Sequence, residues 1–480
     1  MSERLAALAH LWALAWMQML VVGSYLWVLF RTRVLRLPLS KEAMARVHRK
    51  NARRFRETAG RLKGANVKVG QILSMQAHVL PRETIEELRG LRDAVTATEY
   101  TKIARVIEQE LGKPPKEIFA ELDETPIAAA SMAQVHLARL KSGEKVVVKV
   151  QHPGLERSVA IDLALLKVLF WLIGRFVKII DFRQALREAE EPLRRELDLH
   201  LEGEATEAVG AEIRPLGVVV PRVHWEYTRR RVITLEFIDG VNVDDVAQIR
   251  AWGVDRRALM ETFLRQFWHQ AFSGGLFHAD PHPGNVFCTR DGKLAMLDFG
   301  MVKRLPEHVR EGLQKELFGG LFNQPKLYVD GLIQKGAMKE PDRAYVEAWA
   351  TRVFSDTRMR GMIFDHKVSD GSDMTDLFGS LYGMVDGLET FETPQDNLMF
   401  MRALGILIDV SKEVVPEVPV SHIAIPVLVP ILGEFVARHP EYAEAAMATA
   451  MRMAQESTPG LPEVEDPSAP ALPSAGATEG

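Results

Sequence analysis

Two short runs decide the fold of this chain: HADPHPGN at residues 278–285 and, after a turn, LDFG at residues 297–300. Asp280, Asn285 and Asp298 supply side-chain oxygens, which are the ligands that Mg²⁺ prefers in proteins. Either aspartate alone would more often be a turn or capping residue. Together and in this order, the three side chains predict a site that binds a divalent ion beside a further carboxylate.

The spacing between Asp280 and Asn285 is that of the protein-kinase catalytic loop, H-R-D-x-x-x-x-N, which a D-F-G element follows. In such sites the first aspartate lies beside the attacking hydroxyl or water, and the asparagine and second aspartate hold magnesium on the phosphates of ATP. We therefore predict Mg²⁺-ATP as the ligand, Asp280 as the catalytic carboxylate, and Asn285 and Asp298 as metal ligands.

A lysine lies on a predicted strand upstream of these runs. Apolar runs at 133–140 and 145–150 flank a short polar turn and predict a hairpin, and the second ends in Val146-Val-Val-Lys149. A lone lysine in such a strand is usually a surface residue, but this one resembles the phosphate-contacting lysine of V-A-I-K. Its acidic partner would be Asp198 or Glu202, which lie four residues apart on one predicted helix. The alternative is a solvated acidic face.

The loop before the hairpin is rich in alanine where a kinase carries glycines. It reads Ala128, Ala129, Ala130 and Ser131. Alanine disfavours the positive φ angles that let backbone amides approach phosphates, and it favours a stiffer, even helical, turn. We expect these four residues to border the nucleotide in a geometry unlike that of ordinary protein kinases.

The amino terminus predicts a membrane helix. Residues 5–30 form 26 positions without a formal charge, which is long enough to cross a bilayer. Basic residues follow this segment and only Arg4 precedes it, so the positive-inside rule places the body in the cytoplasm. A cleaved signal peptide and a helix that lies in the membrane interface are the alternatives. A later apolar run, 423–432, is short and contains two prolines, and we interpret it as buried protein.

Composition limits the remaining possibilities. The chain has 480 residues, 47% apolar and 26% charged, so it can bury more than one core. The first 70 residues hold 14 Lys and Arg against 3 Asp and Glu, while the whole chain has a net charge of −4. A basic front on an acidic body argues against a nucleic-acid partner. The single cysteine, Cys288, excludes an intramolecular disulfide and a multi-cysteine zinc site.

As a set, these motifs resemble the UbiB family, also called the aarF-domain-containing or ADCK family, of atypical protein-kinase-like proteins. The match includes a K-x-G-Q element, Lys68 to Gln71, an E-x-D element at 196–198, the alanine-rich loop and the two runs at 278–300. The resemblance implies that Lys68 and Gln71 lie on helices folded over the site and reach toward the phosphates or the acidic element. It also implies that Glu236 and Ile238 lie in the hinge that meets the adenine.

The resemblance further implies an α+β, two-lobed protein-kinase-like fold with a helical N-terminal extension and an N-terminal transmembrane helix. We divide the chain into the transmembrane helix and its basic flank (1–36), the K-x-G-Q extension (37–112), the N-lobe with inserted helices (113–240), the C-lobe (241–456) and a disordered tail (457–480). Within these limits, residues 114–126 read as a linker, 222–227 as a strand, and the chain from 256 onward as mostly helix.

Members of this family are tied to ubiquinone or other isoprenoid-lipid metabolism, as membrane-bound ATPases. The resemblance therefore implies ATP hydrolysis on an anionic membrane surface, a lipid or quinone precursor as client, and quinone-biosynthesis enzymes as partners. A phosphotransferase acting on a small molecule or protein, and a nucleotide-gated scaffold without catalysis, are the alternatives. The sequence does not predict the oligomeric state.

Overall fold

The structure is a computed structural model that describes residues 2–62, 83–84, 87, 97–174, 190, 195, 197–355, 388, 395–418 and 420–457. Helices in these ranges are α1 Ser2–Leu29, α2 Lys41–Leu62, α3 Tyr100–Leu111, α4 Pro115–Ile118, α5 Leu155–Gly174, α6 Leu199–Ile213, α7 Val246–Ala251, α8 Arg256–His269, α9 Glu307–Leu321, α10 Pro325–Gln334, α11 Arg343–Ser355, α12 Gln395–Val414, α13 Val420–Arg438 and α14 Ala443–Ser457. Strands are β1 Phe119–Leu122, β2 Ala128–Ala129, β3 Ala133–Leu140, β4 Lys145–Gln151, β5 Val232–Glu236, β6 Gly240–Asn242, β7 Leu276–His278, β8 Val286–Thr289, β9 Leu294–Met296 and β10 Val302–Arg304.

The N-lobe is an antiparallel sheet of five strands in the order β1-β3-β4-β5, with β2 paired to β3. Valines alternate along β4, so that Val146, Val148 and Val150 are fully buried on one face. Helix α3 covers that face with Ile103 and Ile107, which belong to the same apolar cluster. Helix α3 lies within the extension that the sequence analysis placed at 37–112, but it packs into the core of the N-lobe sheet.

A short connection, residues 237–239, leads from β5 into the C-lobe, where α8 is central. Its Phe267 packs against Phe277 on β7 and against Phe400 on α12. Two small antiparallel sheets lie on this helical body, one formed by β10 and β7 and the other by β6, β8 and β9. The sheet of β7 and β10 pairs the start of the run at 278–285 with the residues that follow the run at 297–300, and His278 lies opposite Val302.

Several sequence expectations meet direct observations here. The β3–β4 hairpin is confirmed, with Leu140 and Glu144 closing its turn through a 2.9 Å backbone hydrogen bond. The apolar run at 423–432 forms part of α13 and is buried on one side, through Ile423, Val427, Leu428, Ile431 and Leu432, while Val429 on the other side is 48% exposed. The single cysteine, Cys288, is a free, fully buried thiol.

Two local predictions are wrong, and a third is incomplete. Residues 114–126 are not a linker, because β1 lies within them and pairs with β3. Residues 222–227 are not a strand: Trp225–Tyr227 forms a 3₁₀ turn, and only Val223 makes an isolated bridge to Leu235. Within the described residues, the part after residue 256 is mostly helix, as predicted, but it also contains strands β7 to β10, which are each three or four residues long and too short to show an alternating pattern.

The alanine-rich loop does not form a helical turn. Ala128 and Ala129 are extended and pair with Val135 and Gln134, and Ala130 N–H then donates to the Ala133 carbonyl at 2.8 Å. The expectation of ordinary negative φ angles holds, since the described non-glycine residues with positive φ are Arg36 and Asn323. Three alanines therefore build a tight hairpin edge without the left-handed conformations that glycines would allow.

Candidate active site

Lys149 joins the two lobes through a pair of carboxylates. Alternation along β4 turns its side chain away from the buried valines and toward the C-lobe. Its Nζ lies 2.7 and 2.9 Å from the two carboxylate oxygens of Glu202 and 2.8 Å from Oδ2 of Asp298. The structure thus brings one strand, helix α6 and the D-F-G element to a single point.

Helix α6 presents Glu202 rather than Asp198 to this lysine. Asp198 is the N-cap of α6, where its Oδ1 accepts the His200 N–H at 3.0 Å, and its other oxygen lies 3.7 Å from Nε of Arg230. Glu202 comes one turn later and is 7% exposed. The two acids that the sequence left as alternatives therefore have different positions, one as a helix cap and the other in the site.

The charged groups of this cluster shift one another's pKa values. Burial by itself would lower the pKa of Lys149, but the carboxylates of Asp298 and Glu202 outweigh it and hold that pKa above its usual range. Burial would likewise raise the pKa of Asp298, but the Lys149 ammonium and the Gly300 N–H, 2.8 Å from Oδ1, keep it well below its usual range. The lysine is cationic and the aspartate anionic at neutral pH.

The catalytic loop is held by its own histidine. The His278 ring accepts the Asp280 N–H on Nδ1 at 3.1 Å and contacts the Asp298 carbonyl through Nε2. Because Nδ1 is the acceptor, the proton lies on Nε2, and burial lowers the pKa of this imidazole so that it stays neutral. His278 therefore fixes the aspartates of both sequence runs relative to one another.

The side chain of Asp280 meets a cation from a distant helix. Its Oδ1 lies 3.0 Å from a guanidinium nitrogen of Arg402 on α12. Neighbouring contacts fix this helix, because Phe400 is 4% exposed in the aromatic cluster around α8 and Asp396 pairs with Lys303 of β10 at 3.1 Å. Sequence reasoning did not find Arg402, since an arginine 122 residues downstream carries no motif.

A cavity of about 560 Å³ lies between the lobes. Its lining includes Lys149, Glu202, Asp280, Asn285 and Asp298. The structure therefore brings five of the predicted site residues to one opening, and Ala130 and Ser131 of the alanine-rich loop border the same space. The described residues that line this cavity do not include the hinge residues Glu236 and Ile238.

The hinge residues occupy the connection between the lobes. The Glu236 carboxylate accepts the backbone and side-chain N–H groups of Arg222, both at 3.2 Å. The N–H of Ile238 makes no hydrogen bond within the described part of the chain. Lys68 and Gln71, which the resemblance places over the site, lie outside the described residues.

The residues of this opening fit a magnesium nucleotide. A 3.0 Å hydrogen bond from the Leu297 N–H to the Asn285 carbonyl brings together the two chain segments that carry the predicted metal ligands, Asn285 and Asp298. Gln151 adds a second sign of a polar ligand: it lines the cavity, is 1% exposed, and neither its amide oxygen nor its amide nitrogen has a hydrogen-bond partner among the described residues. Unpaired buried amides are costly in a folded chain and usually have a reason. Gln151 shares the cavity-facing side of β4 with Lys149, so strand alternation could have found it.

The two lobes, the lysine bridge and the loop with its D-F-G element define a protein of the kinase-like class. A family model described as the ABC1 atypical kinase-like domain matches residues 90–327. An uncharacterized protein of Synechocystis sp. is 32% identical over 404 residues, which cover 82% of this chain and 67% of that protein. The chain belongs to this ABC1, UbiB or ADCK family.

Other relatives carry kinase names. Protein ACTIVITY OF BC1 COMPLEX KINASE 8, chloroplastic, of Arabidopsis thaliana is 34% identical over 60% of this chain and 39% of its own length. AarF domain-containing protein kinase 1 of Gallus gallus is 35% identical over 55% and 52% of the two chains. This chain thus spans about half or less of those two proteins. A solved structure, Rv3197 of Mycobacterium tuberculosis with erythromycin, matches with a TM-score of 0.53 and 23% identity over 78% of this chain and 94% of that one, which confirms the two-lobed fold.

Proposed function

We propose that this protein binds Mg²⁺-ATP between its lobes and hydrolyses it, as a membrane-attached member of the atypical kinase-like family. The observation that carries the proposal is the bridge from Lys149 to Glu202 and Asp298, at 2.7 to 2.9 Å. That arrangement leaves an ammonium where phosphates are held in kinases and a carboxylate where magnesium is held.

Each residue of the cavity has a distinct task in this proposal. Bound magnesium, held by Asn285 and Asp298, would neutralise charge that develops on the phosphates. Lys149 binds a phosphate oxygen while Glu202 keeps its ammonium in place. Asp280 orients the attacking water and accepts its proton, because its carboxylate borders the same cavity. The hinge backbone at Glu236 and Ile238 would meet the adenine, and Lys68 and Gln71 would reach the phosphates.

The client of this activity is a lipid in our proposal. Family membership supports a role in ubiquinone or other isoprenoid-lipid metabolism, with a quinone precursor as client and quinone-biosynthesis enzymes as partners. Helix α1 supports membrane attachment: the stretch Trp12–Thr32 is long and apolar enough to cross a bilayer, by length and composition alone. The sequence favours a single crossing with the body in the cytoplasm, and attachment along the interface is the other arrangement.

ATP hydrolysis by the purified full-length chain tests the catalytic part. We expect magnesium-dependent phosphate release that Asp298→Asn lowers at least a hundredfold. The matched control is Asp244→Asn, the same change at an exposed position before α7, which should leave the rate unchanged. Equal hydrolysis by Asp298→Asn and the wild type would contradict the metal assignment.

The same assay separates the alternatives. With ATP labelled on the γ-phosphate, label that moves to a lipid, small molecule or protein would identify a phosphotransferase instead of an ATPase. If no turnover occurs but the wild type and Asp280→Ala both capture partner proteins only with nucleotide, the chain is a nucleotide-gated scaffold. Free phosphate as the sole labelled product supports the proposed hydrolysis.

A further inference from the structure

Helix α1 exposes a continuous apolar stripe along one side. The exposed positions fall within about 100° of one another around the helix axis, so they share one helical face about 27 Å long. They are Trp12 (68% exposed), Trp16 (48%), Met19 (54%), Leu26 (42%) and Trp27 (61%) on α1, and Phe30 (44%) at the start of the π-helical turn Phe30–Val34 that follows it. Three tryptophans on one solvent-facing stripe are unusual for a helix that only packs within a protein.

The opposite side of α1 is covered by the protein itself. Leu14, Met17, Val21 and Val28 are each at most 7% exposed. Helices α2 and α5 provide this cover, with α2 folded back along α1. One half of the α1 circumference is therefore unavailable to lipid.

The contacts between α1 and α2 are polar at the middle of the apolar segment. Asn51 donates to the Ser24 hydroxyl at 2.7 Å, and the His48 ring lies 2.8 Å from the Tyr25 hydroxyl. Arg54 donates to the Leu20 carbonyl at 3.1 Å. If α1 crossed the bilayer with these contacts intact, a guanidinium would lie near the centre of the hydrocarbon, where charge is costly.

Helix α2 as a whole cannot enter lipid. It carries eight Lys and Arg against two Asp and Glu over 22 residues. Because α2 packs on the side of α1 that is opposite the stripe, the apolar stripe and the basic helix form two stacked layers. Such a pairing suits an anionic bilayer, with tryptophans at the headgroup boundary and basic residues above them.

We propose that α1 lies flat in the interface of an anionic bilayer, with the tryptophan stripe in the lipid and α2 on the aqueous side. Helix α1 then contacts the membrane from one side and does not cross it. This inference rests on the proposed membrane attachment but not on ATP hydrolysis, so it stands or falls separately from the catalytic proposal. It replaces the single crossing that the length of the apolar segment alone predicts.

Cysteine labelling in cells decides between lying flat and crossing. The only native cysteine, Cys288, is fully buried, so single cysteines introduced as Ser2→Cys and Ser40→Cys report the two ends of α1. With a membrane-impermeant maleimide on intact spheroplasts of an expressing bacterium, we expect neither position to react, and both to react after permeabilisation. Labelling of Ser2→Cys alone in intact cells would mean that α1 crosses the membrane and would overturn the proposal.

Flotation of the purified full-length chain with vesicles tests the occupant of the stripe. Vesicles of phosphatidylcholine with one quarter phosphatidylglycerol should carry the protein upward, and phosphatidylcholine alone should carry much less. Trp16→Asp and Trp27→Asp should each lower the bound fraction at least tenfold, whereas Met447→Asp, at a 64% exposed apolar position on α14, should not. Equal flotation of all variants would contradict the proposal. The proposal would also be contradicted if the wild type did not bind vesicles but formed a dimer, and if Trp27→Asp dissociated that dimer.

Discussion

At the scale of single residues, the charge arrangement of the site depends on Lys149. It is 19% exposed and contacts carboxylates from both lobes, so neither lobe can move without changing its environment. Removing one member of such a cluster leaves the other charges without compensation, which costs more than the net value of the pair. Partial exposure of Asp298, at 37%, lets water weaken the bridge and lets a ligand replace it.

Arg402 should act on catalysis through Asp280. It holds Oδ1 of that carboxylate at 3.0 Å and leaves Oδ2 without a hydrogen bond to any described residue. Arg402→Ala should lower kcat for ATP hydrolysis about tenfold, the cost of one charge-assisted hydrogen bond, while KM for ATP stays within about twofold. Arg402→Lys should recover part of the loss. A fall in KM and kcat together, or a faster variant, would contradict this role.

Gln151 should matter for the ligand more than for the fold. Gln151→Met replaces an unpaired buried amide by an apolar chain of similar length, so the free energy of unfolding should stay the same or rise by about 1 kcal/mol. The Kd for Mg²⁺-ATP should rise about tenfold if the amide binds the nucleotide. The control is Gln134→Met, because Gln134 is buried but hydrogen-bonded to Thr98. That change should cost about 1 to 3 kcal/mol of stability and leave Kd unchanged.

At the scale of elements, patterns that are local in sequence are the ones that could be predicted. The β3–β4 hairpin follows from alternating apolar residues around a polar turn. The order of residues in the catalytic loop and the D-F-G element likewise identifies the two-lobed fold. Strands such as β7 and β10 could not be found, because each has three residues and exists only through its long-range partner.

The same limit applies inside the site. Strand alternation and the motifs indicate Lys149, but no periodicity decides between Asp198 and Glu202, since both lie on one helical face. What decides is where α6 begins, and the Asp198 cap sets that point. Arg402 is reached only through the packing of α12, which depends on apolar contacts across the whole C-lobe.

The polar network on β3 makes N-lobe stability depend on pH. His136 is fully buried: its Nδ1 lies 2.7 Å from the Asp123 carbonyl and its Nε2 lies 2.8 Å from the Gln134 amide. Burial lowers the pKa of His136 below its unfolded value of about 6.5. The neutral ring is therefore the form that stabilises the fold. This contribution is complete above about pH 7 and is lost as the pH falls through the folded pKa.

Urea unfolding at pH 7.5 and 5.5 checks this dependence. The wild type should lose stability between the two values, and His136→Gln should lose less, because its amide does not titrate. Comparing the two proteins cancels the effect of other histidines that they share. An identical loss in both proteins would contradict the assignment to His136.

At the scale of the whole molecule, two surfaces with different chemistry share one chain. One is the opening between the lobes, with Lys149, Glu202, Asp280 and Asp298 at its wall. The other is the basic amino-terminal hairpin of α1 and α2. Helix α5 follows β4 directly and also contacts α1, so the strand that carries Lys149 is connected through one helix to the segment that we propose to face lipid.

The most direct measurement of the central claim is the dependence of ATP binding on magnesium in the wild type and in Asp298→Asn. With a fluorescent ATP analogue, removing Mg²⁺ by chelation should raise the Kd of the wild type at least tenfold. Asp298→Asn should bind with the same Kd whether or not Mg²⁺ is present. Wild-type binding that ignores Mg²⁺, or a variant that keeps the full dependence, would contradict the account.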